Sequence, residues 1–129
     1  MPVVVRSFKR SKFNVRTDAA GKAARTVDGI TFDSLKEAKR YAELKLLERA
    51  GEITGLQLQP KFALWTYCTE GLETDVSSIR TVCEYWGDFL YQRKDGVKIV
   101  EDVKGADTDM SRLKRKWLKL QNNIDVVIL

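Results

Sequence analysis

The chain has 129 residues, 43% apolar and 32% charged, with 23 Lys and Arg against 18 Asp and Glu, a net charge of +5 and a pI near 9.3. It contains no histidine, which excludes histidine general bases, serine–histidine triads and most zinc sites, and leaves carboxylates, lysines and thiols for any chemistry. The length suits one compact domain, and the apolar opening Pro2-Val3-Val4-Val5 is too short for a signal peptide or a membrane span, so a cytoplasmic protein with no membrane partner is expected.

Residues 1–25 read as a basic, irregular arm. Arg6, Lys9, Arg10, Lys12, Arg16, Lys22 and Arg25 are opposed there only by Asp18. Such a cluster suits a polyanion, because each phosphate it neutralises releases condensed counterions. A single domain is expected over residues 26–129. It opens with TVDGITFDS, a short hairpin around Asp28-Gly29. A helix follows from Ser34 to about Ala50. Leu35, Ala38, Ala42 and Leu46 recur at helical spacing, Tyr41, Leu44 and Leu47 widen the stripe, and Gly51 ends it.

Next comes LQLQPKFALWTYC, which alternates like a strand, with Pro60 implying an edge or a bulge, and then a loop at 73–78. IRTVCEYWGDFLY (79–91) forms a second strand, RKDG a turn, and VKIVEDVKG a third. Asp109–Gln121 is a second helix with an apolar stripe of Met110, Leu113, Trp117 and Leu120. Its five basic residues, Arg112, Lys114, Arg115, Lys116 and Lys119, fall largely outside that stripe. IDVVIL closes the chain as a buried strand. Cys68 and Cys83 lack metal-ligand spacing and read as small buried hydrophobes in a reducing compartment. The expected order is αβββαβ, an α/β fold with a mixed central sheet flanked by helices.

The stretch VEDVKG (100–105) sets two carboxylates and an ammonium into an otherwise apolar strand. Side chains two apart share a face, so Asp102 and Lys104 point one way while Glu101 points the other with Ile99 and Val103. On the preceding strand Asp88 follows Gly87 among aromatic residues, where an unpaired carboxylate is costly. If the RKDG turn makes the two strands antiparallel neighbours, Asp88 and Asp102 approach each other. Lys104 alone is one positive charge for two carboxylates, and a divalent cation would complete the balance. The competing interpretation is a structural ion pair that guards a sheet edge.

A strand carrying an Asp, a hairpin, and a strand ending in Asp-X-Lys, after a helix with an acidic residue, resembles the PD-(D/E)XK nuclease superfamily. The wider run FDSLKEAKRYAEL, LQPKF, GDFLY and VEDVKG is similar to small phage and prophage proteins of that superfamily, related in outline to archaeal-type Holliday junction resolvases. The resemblance covers residues 30–120 and implies a restriction-endonuclease-like core. It makes Asp88 and Asp102 ligands of Mg²⁺, with Mn²⁺ able to substitute, and Lys104 the lysine that positions or activates the attacking water. Gly87 stands where such nucleases often carry proline, and Glu101 would be the second carboxylate only if the strand were bulged.

Two interpretations of Glu37 stand side by side: the helix carboxylate that such nucleases aim at the metal, and the fourth residue of a capping box begun by Ser34. Gln59 matches a polar position near some active sites of the superfamily. Arg6, Lys9, Arg10, Lys12, Arg16, Lys61, Arg112, Arg115, Lys116 and Lys119 are the candidate DNA contacts. The resemblance therefore implies a metal-dependent DNA endonuclease, structure-selective or junction-resolving, encoded by a phage or prophage and working in the host cytoplasm as a homodimer or with a protein partner that supplies specificity. The alternative is a non-catalytic nucleic-acid-binding module, or a degenerate nuclease fold acting as an interaction partner.

Overall fold

The computed structural model describes residues 16–67 and 79–129. The candidate contacts Arg6, Lys9, Arg10 and Lys12, together with Cys68 and the 73–78 loop, lie outside the described residues. The chain divides into two compact units, one ending at Ala42 and the other spanning Glu43–Leu129.

In the first unit the expected irregular arm gives way to a short helix, α1 (Ala19–Ala24). Its alanines favour the helix, and the Asp18 side chain caps it by accepting from the Gly21 N–H at 3.1 Å. Arg25 is buried rather than offered to a polyanion. Its Nε donates to the Phe32 carbonyl at 2.9 Å and its Nη1 to the Arg16 carbonyl at 2.6 Å. The hairpin β1 (Thr26–Val27) and β2 (Ile30–Thr31) turns as expected at Asp28 and Gly29, both with positive φ.

Helix α2 (Leu35–Arg49) carries the chain into the second unit. The Ser34 hydroxyl accepts from the Glu37 N–H at 3.1 Å, half of a capping box. The face it buries is Glu37, Ala38, Tyr41 and Leu44, whereas Leu35 and Leu46 of the expected stripe are exposed. The buried arc is thus rotated so that an acidic residue lies inside it.

The second unit is built from β3 (Ile53–Leu58), β4 (Lys61–Tyr67), β5 (Ile79–Trp86), β6 (Phe89–Arg93), β7 (Lys98–Asp102), helix α3 (Asp109–Asn122) and β8 (Asp125–Ile128). The fold is α/β with a mixed sheet, as expected. Four strands run in the order β3-β6-β7-β8, with β8 parallel to β7 and the others antiparallel, and β4-β5 form a separate two-stranded ribbon. The β7–α3–β8 crossover returns the chain beside β7, where the Leu129 N–H donates to the Asp102 carbonyl at 3.1 Å.

Each of the two long expected strands is in fact two. One breaks at Gln59-Pro60 and the other at Gly87-Asp88, and the breaks face each other. The Gln59 N–H donates to the Asp88 carbonyl at 2.9 Å and the Gly87 N–H to the Pro60 carbonyl at 3.0 Å. Pro60 has no N–H for a ladder, and Gln59 adopts a positive φ of 49°. Gly87 is needed for space: a Cβ there would stand 2.6 Å from Val100 Cγ1. A proline there would lose the bond to Pro60 as well.

The break reverses strand parity. Tyr85 joins Leu64, Val100 and Leu118 in the buried core, with Leu90, Trp117 and Val126 packed against it. Unbroken alternation would have placed Tyr85 with Phe89 and Tyr91 instead. Cys83, a free thiol on β5, is half-buried beside this core.

Helix α3 departs from expectation in which face it buries. Met110, Leu113 and Leu120 are 60%, 55% and 79% exposed, whereas Leu118 is buried. Leu118 packs on Leu64 and Tyr85 of the ribbon, and around it α3 meets strand backbone with polar groups. Gln121 accepts from the Trp65 N–H at 3.0 Å and donates to the Ala63 carbonyl at 2.8 Å, Trp117 Nε1 donates to the Trp65 carbonyl at 3.2 Å, and Lys114 to the Glu84 carbonyl at 3.0 Å. Backbone groups need donors and acceptors, so the helix supplies an amide, an indole and an ammonium there rather than methyl groups.

Replacing Gly87 with Ala should cost about 1–3 kcal/mol of stability, the usual penalty for overpacking a filled site. Urea denaturation of the two proteins measures it, and an unchanged midpoint would show that Val100 yields freely.

Candidate active site

The double break sets the site. Asp88 is the last residue before β6, and its N–H donates to the Glu101 carbonyl at 2.9 Å, which brings it opposite the end of β7. There its Oδ2 accepts from the Val103 N–H at 2.6 Å. The Phe89↔Glu101 register places Asp102 as its neighbour across the ladder. Lys104 turns back so that its Nζ lies 2.8 Å from Asp102 Oδ2, with side chains only 13% and 7% exposed. The structure therefore gathers Asp88, Asp102 and Lys104 at one place.

Tyr85 is a participant that sequence reasoning did not assign. Its hydroxyl donates to Asp102 Oδ2 at 2.6 Å, the same oxygen that Lys104 approaches. Burial, followed by the Asp102 carboxylate, pushes the phenol well above its ordinary pKa. The signal in the sequence was a tyrosine three residues before Asp88, hidden by the parity change at Gly87. Behind it Arg115 forms a bidentate pair with Asp107, both bonds 2.8 Å, and Nη1 also donates to Ser111 at 2.7 Å. That guanidinium holds the Asp107 carboxyl below the usual carboxylate range.

Glu101 projects to the opposite face, as expected, and is buried. It accepts from the Tyr91 hydroxyl at 2.6 Å, a bond that occupies it on the far side of β7 from Asp102. Glu37 lies in the first unit, on the buried face of α2. Gln59 serves the break through its backbone.

Burial pushes the Asp88 carboxyl up to about 6. The neighbouring Asp102 adds to the rise, and the Val103 N–H and Lys104 oppose it. A pair of desolvated carboxylates with one ammonium is short of positive charge. Among the described residues no three His, Cys, Asp or Glu side chains converge on one point. Two carboxylates nevertheless suit Mg²⁺, which keeps several waters and takes one or two protein carboxylates together with substrate phosphate oxygens. The donor set fits that ion and lacks the closed cage of a structural metal site.

Most described candidates for DNA contact are engaged in ion pairs. Arg16 pairs with Asp18, Lys61 with Glu84, Arg112 with Asp107 and Asp109, Arg115 with Asp107, and Lys119 with Asp125. Lys116 has no ion pair among the described residues. Lys61 also stands 5.5 Å from the Trp86 ring centroid. Apart from the largely buried Arg115–Asp107 pair, these pairs are solvent-exposed and therefore weak.

Fold and site together define a mixed α/β domain that carries an acidic pair and a lysine where two strands break and a third ends. The chain belongs to the DUF1064 family of proteins of unknown function, whose model matches residues 15–127. No curated protein and no solved structure matches it. Among the described residues no helix is long and apolar enough to cross a membrane.

Asp88 makes a prediction about stability. Its folded pKa lies above the ordinary 3.8, so the folded state keeps a proton that the unfolded chain has released. Stability is therefore lost as pH rises from about 4 to about 6. Asp88→Asn should abolish that loss and leave the variant about 1–3 kcal/mol more stable than wild type at pH 7, with little difference at pH 3.5. Urea unfolding at both pH values checks it. A variant less stable at pH 7 would show that the Asp88 charge is compensated in the folded protein.

Proposed function

We propose that this chain is a Mg²⁺-dependent endodeoxyribonuclease of the PD-(D/E)XK type, hydrolysing phosphodiester bonds in DNA and selective for branched or junction structures. The observation that supports this reading is the convergence of Asp88, Asp102 and Lys104 at the end of β7, half-buried or buried and short of positive charge. The resemblance noted in the sequence carries the same three residues. Asp88 and Asp102 would hold the ion, with Mn²⁺ able to replace it. When bound, it supplies a lowered water pKa and neutralises charge developing on the phosphate.

The chain's own residues supply the rest. Lys104 keeps N–H donors beyond the one directed at Asp102, and these hydrogen-bond a phosphate oxygen or the attacking water next to the scissile bond. Tyr91 and the opposite strand face keep Glu101 out of the reaction. Lys116 and the basic residues Arg6, Lys9, Arg10 and Lys12 make phosphate contacts that hold DNA without reading its bases. A homodimer would give each strand its own site, and a partner protein would add specificity.

Cleavage of labelled supercoiled plasmid, linear duplex, single strand and four-way junction, in Mg²⁺, Mn²⁺ or EDTA, tests the proposal. Wild type should cut only with metal and fastest on the junction. Asp102→Asn and Lys104→Ala should each slow cutting at least about 100-fold, the scale of removing one preorganised charge-stabilising group. DNA affinity measured in EDTA should stay within about threefold, because Lys104 is one phosphate contact among several and most of the others lie elsewhere. Binding without cutting on every substrate would favour a nucleic-acid-binding module.

A further inference from the structure

Two donors meet on one oxygen of Asp102: the Tyr85 hydroxyl at 2.6 Å and the Lys104 ammonium at 2.8 Å, both on Oδ2. Neither of these contacts uses Oδ1. A carboxylate on a single strand residue can rotate about its terminal torsion, which is broad and roughly two-fold. Two donors fixed on one oxygen remove that freedom, and the direction of the other oxygen is then set.

The two donors differ in how firmly they are held. Lys104 lies beyond the end of β7 on a flexible four-carbon stem. Tyr85 is a ring locked in the core between Leu64, Val100 and Leu118. Its position is fixed by packing before any ligand arrives. Arg115, itself clamped by Asp107 and Ser111, adds positive charge near the phenol and Asp102. The aromatic ring is thus the rigid part of the site and the lysine the adaptable part.

We propose that Tyr85 is a positioning residue for the cation: it pins Asp102 Oδ2 so that Oδ1 is presented, together with Asp88, to a divalent metal, and Lys104 can turn to the phosphate without releasing the carboxylate. This inference rests on the metal-dependent reading of the same site. It assigns Tyr85 no contact with substrate. Groups that orient metal ligands in this way typically govern metal affinity by about 10–100-fold.

The test is Mn²⁺ binding to the DNA-free full chain, followed by the loss of the free-ion electron paramagnetic resonance signal, in wild type, Tyr85→Phe and Asp102→Asn, well below the unfolding temperature of each. Wild type should bind, Asp102→Asn should not, and Tyr85→Phe should bind with unchanged stoichiometry at least about tenfold more weakly. In cleavage the Tyr85→Phe variant should need correspondingly more metal for half-maximal rate, with DNA affinity in EDTA unchanged. A lesion of packing alone would leave the metal affinity of the folded protein where it was. Tyr85→Phe binding Mn²⁺ within about twofold of wild type, while Asp102→Asn fails to bind, would overturn the role of Tyr85 and leave the metal reading intact. Absence of Mn²⁺ binding in wild type would overturn both.

Should Tyr85→Phe fail to fold, wild type labelled with 3-fluorotyrosine decides the matter. Titration with Mg²⁺ should move the Tyr85 fluorine resonance in proportion to occupancy, and a resonance that stays still as the site fills would overturn the proposal.

Discussion

The crossing of two broken strands is the constraint on which the second unit depends. Gln59 and Gly87 donate their N–H groups across it to Asp88 and Pro60, so the ladder continues through the point at which both strands change sheets. Without a side chain, Gly87 lets Val100 close against the break. One consequence is a core made from residues that simple alternation would keep apart, Tyr85 with Val100 and Leu90. Another is that Asp88, at the crossing, is carried in front of the end of β7. The same break that forms the core thereby forms the site.

The charges in VEDVKG and the Asp88 carboxylate opposite them are held by three separate arrangements. Glu101 faces one way and is satisfied by the Tyr91 hydroxyl. Asp102 faces the other and takes Tyr85 and Lys104. Asp88, from the adjoining strand, takes the Val103 N–H. Burying a carboxylate is tolerable only with such partners. The third arrangement is the least complete, since Asp88 sits near a second carboxylate and its proton is held up to about pH 6. An incompletely compensated acidic pair at a strand end is costly to the fold, and such sites are where function is generally found. A divalent cation is the ligand that would remove the imbalance.

Much of this was legible in the sequence. The helices at 35–49 and 109–122, the Asp28-Gly29 hairpin, the turn after Arg93 and the pairing that brings Asp88 to Asp102 all follow from periodicity and turn chemistry. What the sequence concealed came from local exceptions to those same rules. The breaks at Pro60 and Gly87 split two strands, and the parity change at Gly87 hid Tyr85. Helix α3 satisfies the β4 backbone with Gln121 and Trp117, so it buries Leu118 beside those groups and leaves Met110, Leu113 and Leu120 of the expected stripe exposed. Arg25, counted with the basic arm, is a structural tie to the Phe32 and Arg16 carbonyls. At Arg25 and along α3, backbone polar groups outranked apolar periodicity, because an unmet N–H or C=O costs more than an exposed leucine.

Under the proposed function Asp88 and Asp102 share one cation. An anomalous-difference map from crystals grown with Mn²⁺ addresses it directly. A shared cation would give a peak about 2.1 Å from a carboxylate oxygen of each residue, with Tyr85 still bonded to Asp102. Both carboxylates ordered and no peak between them, or a peak bound elsewhere on the chain, would contradict it.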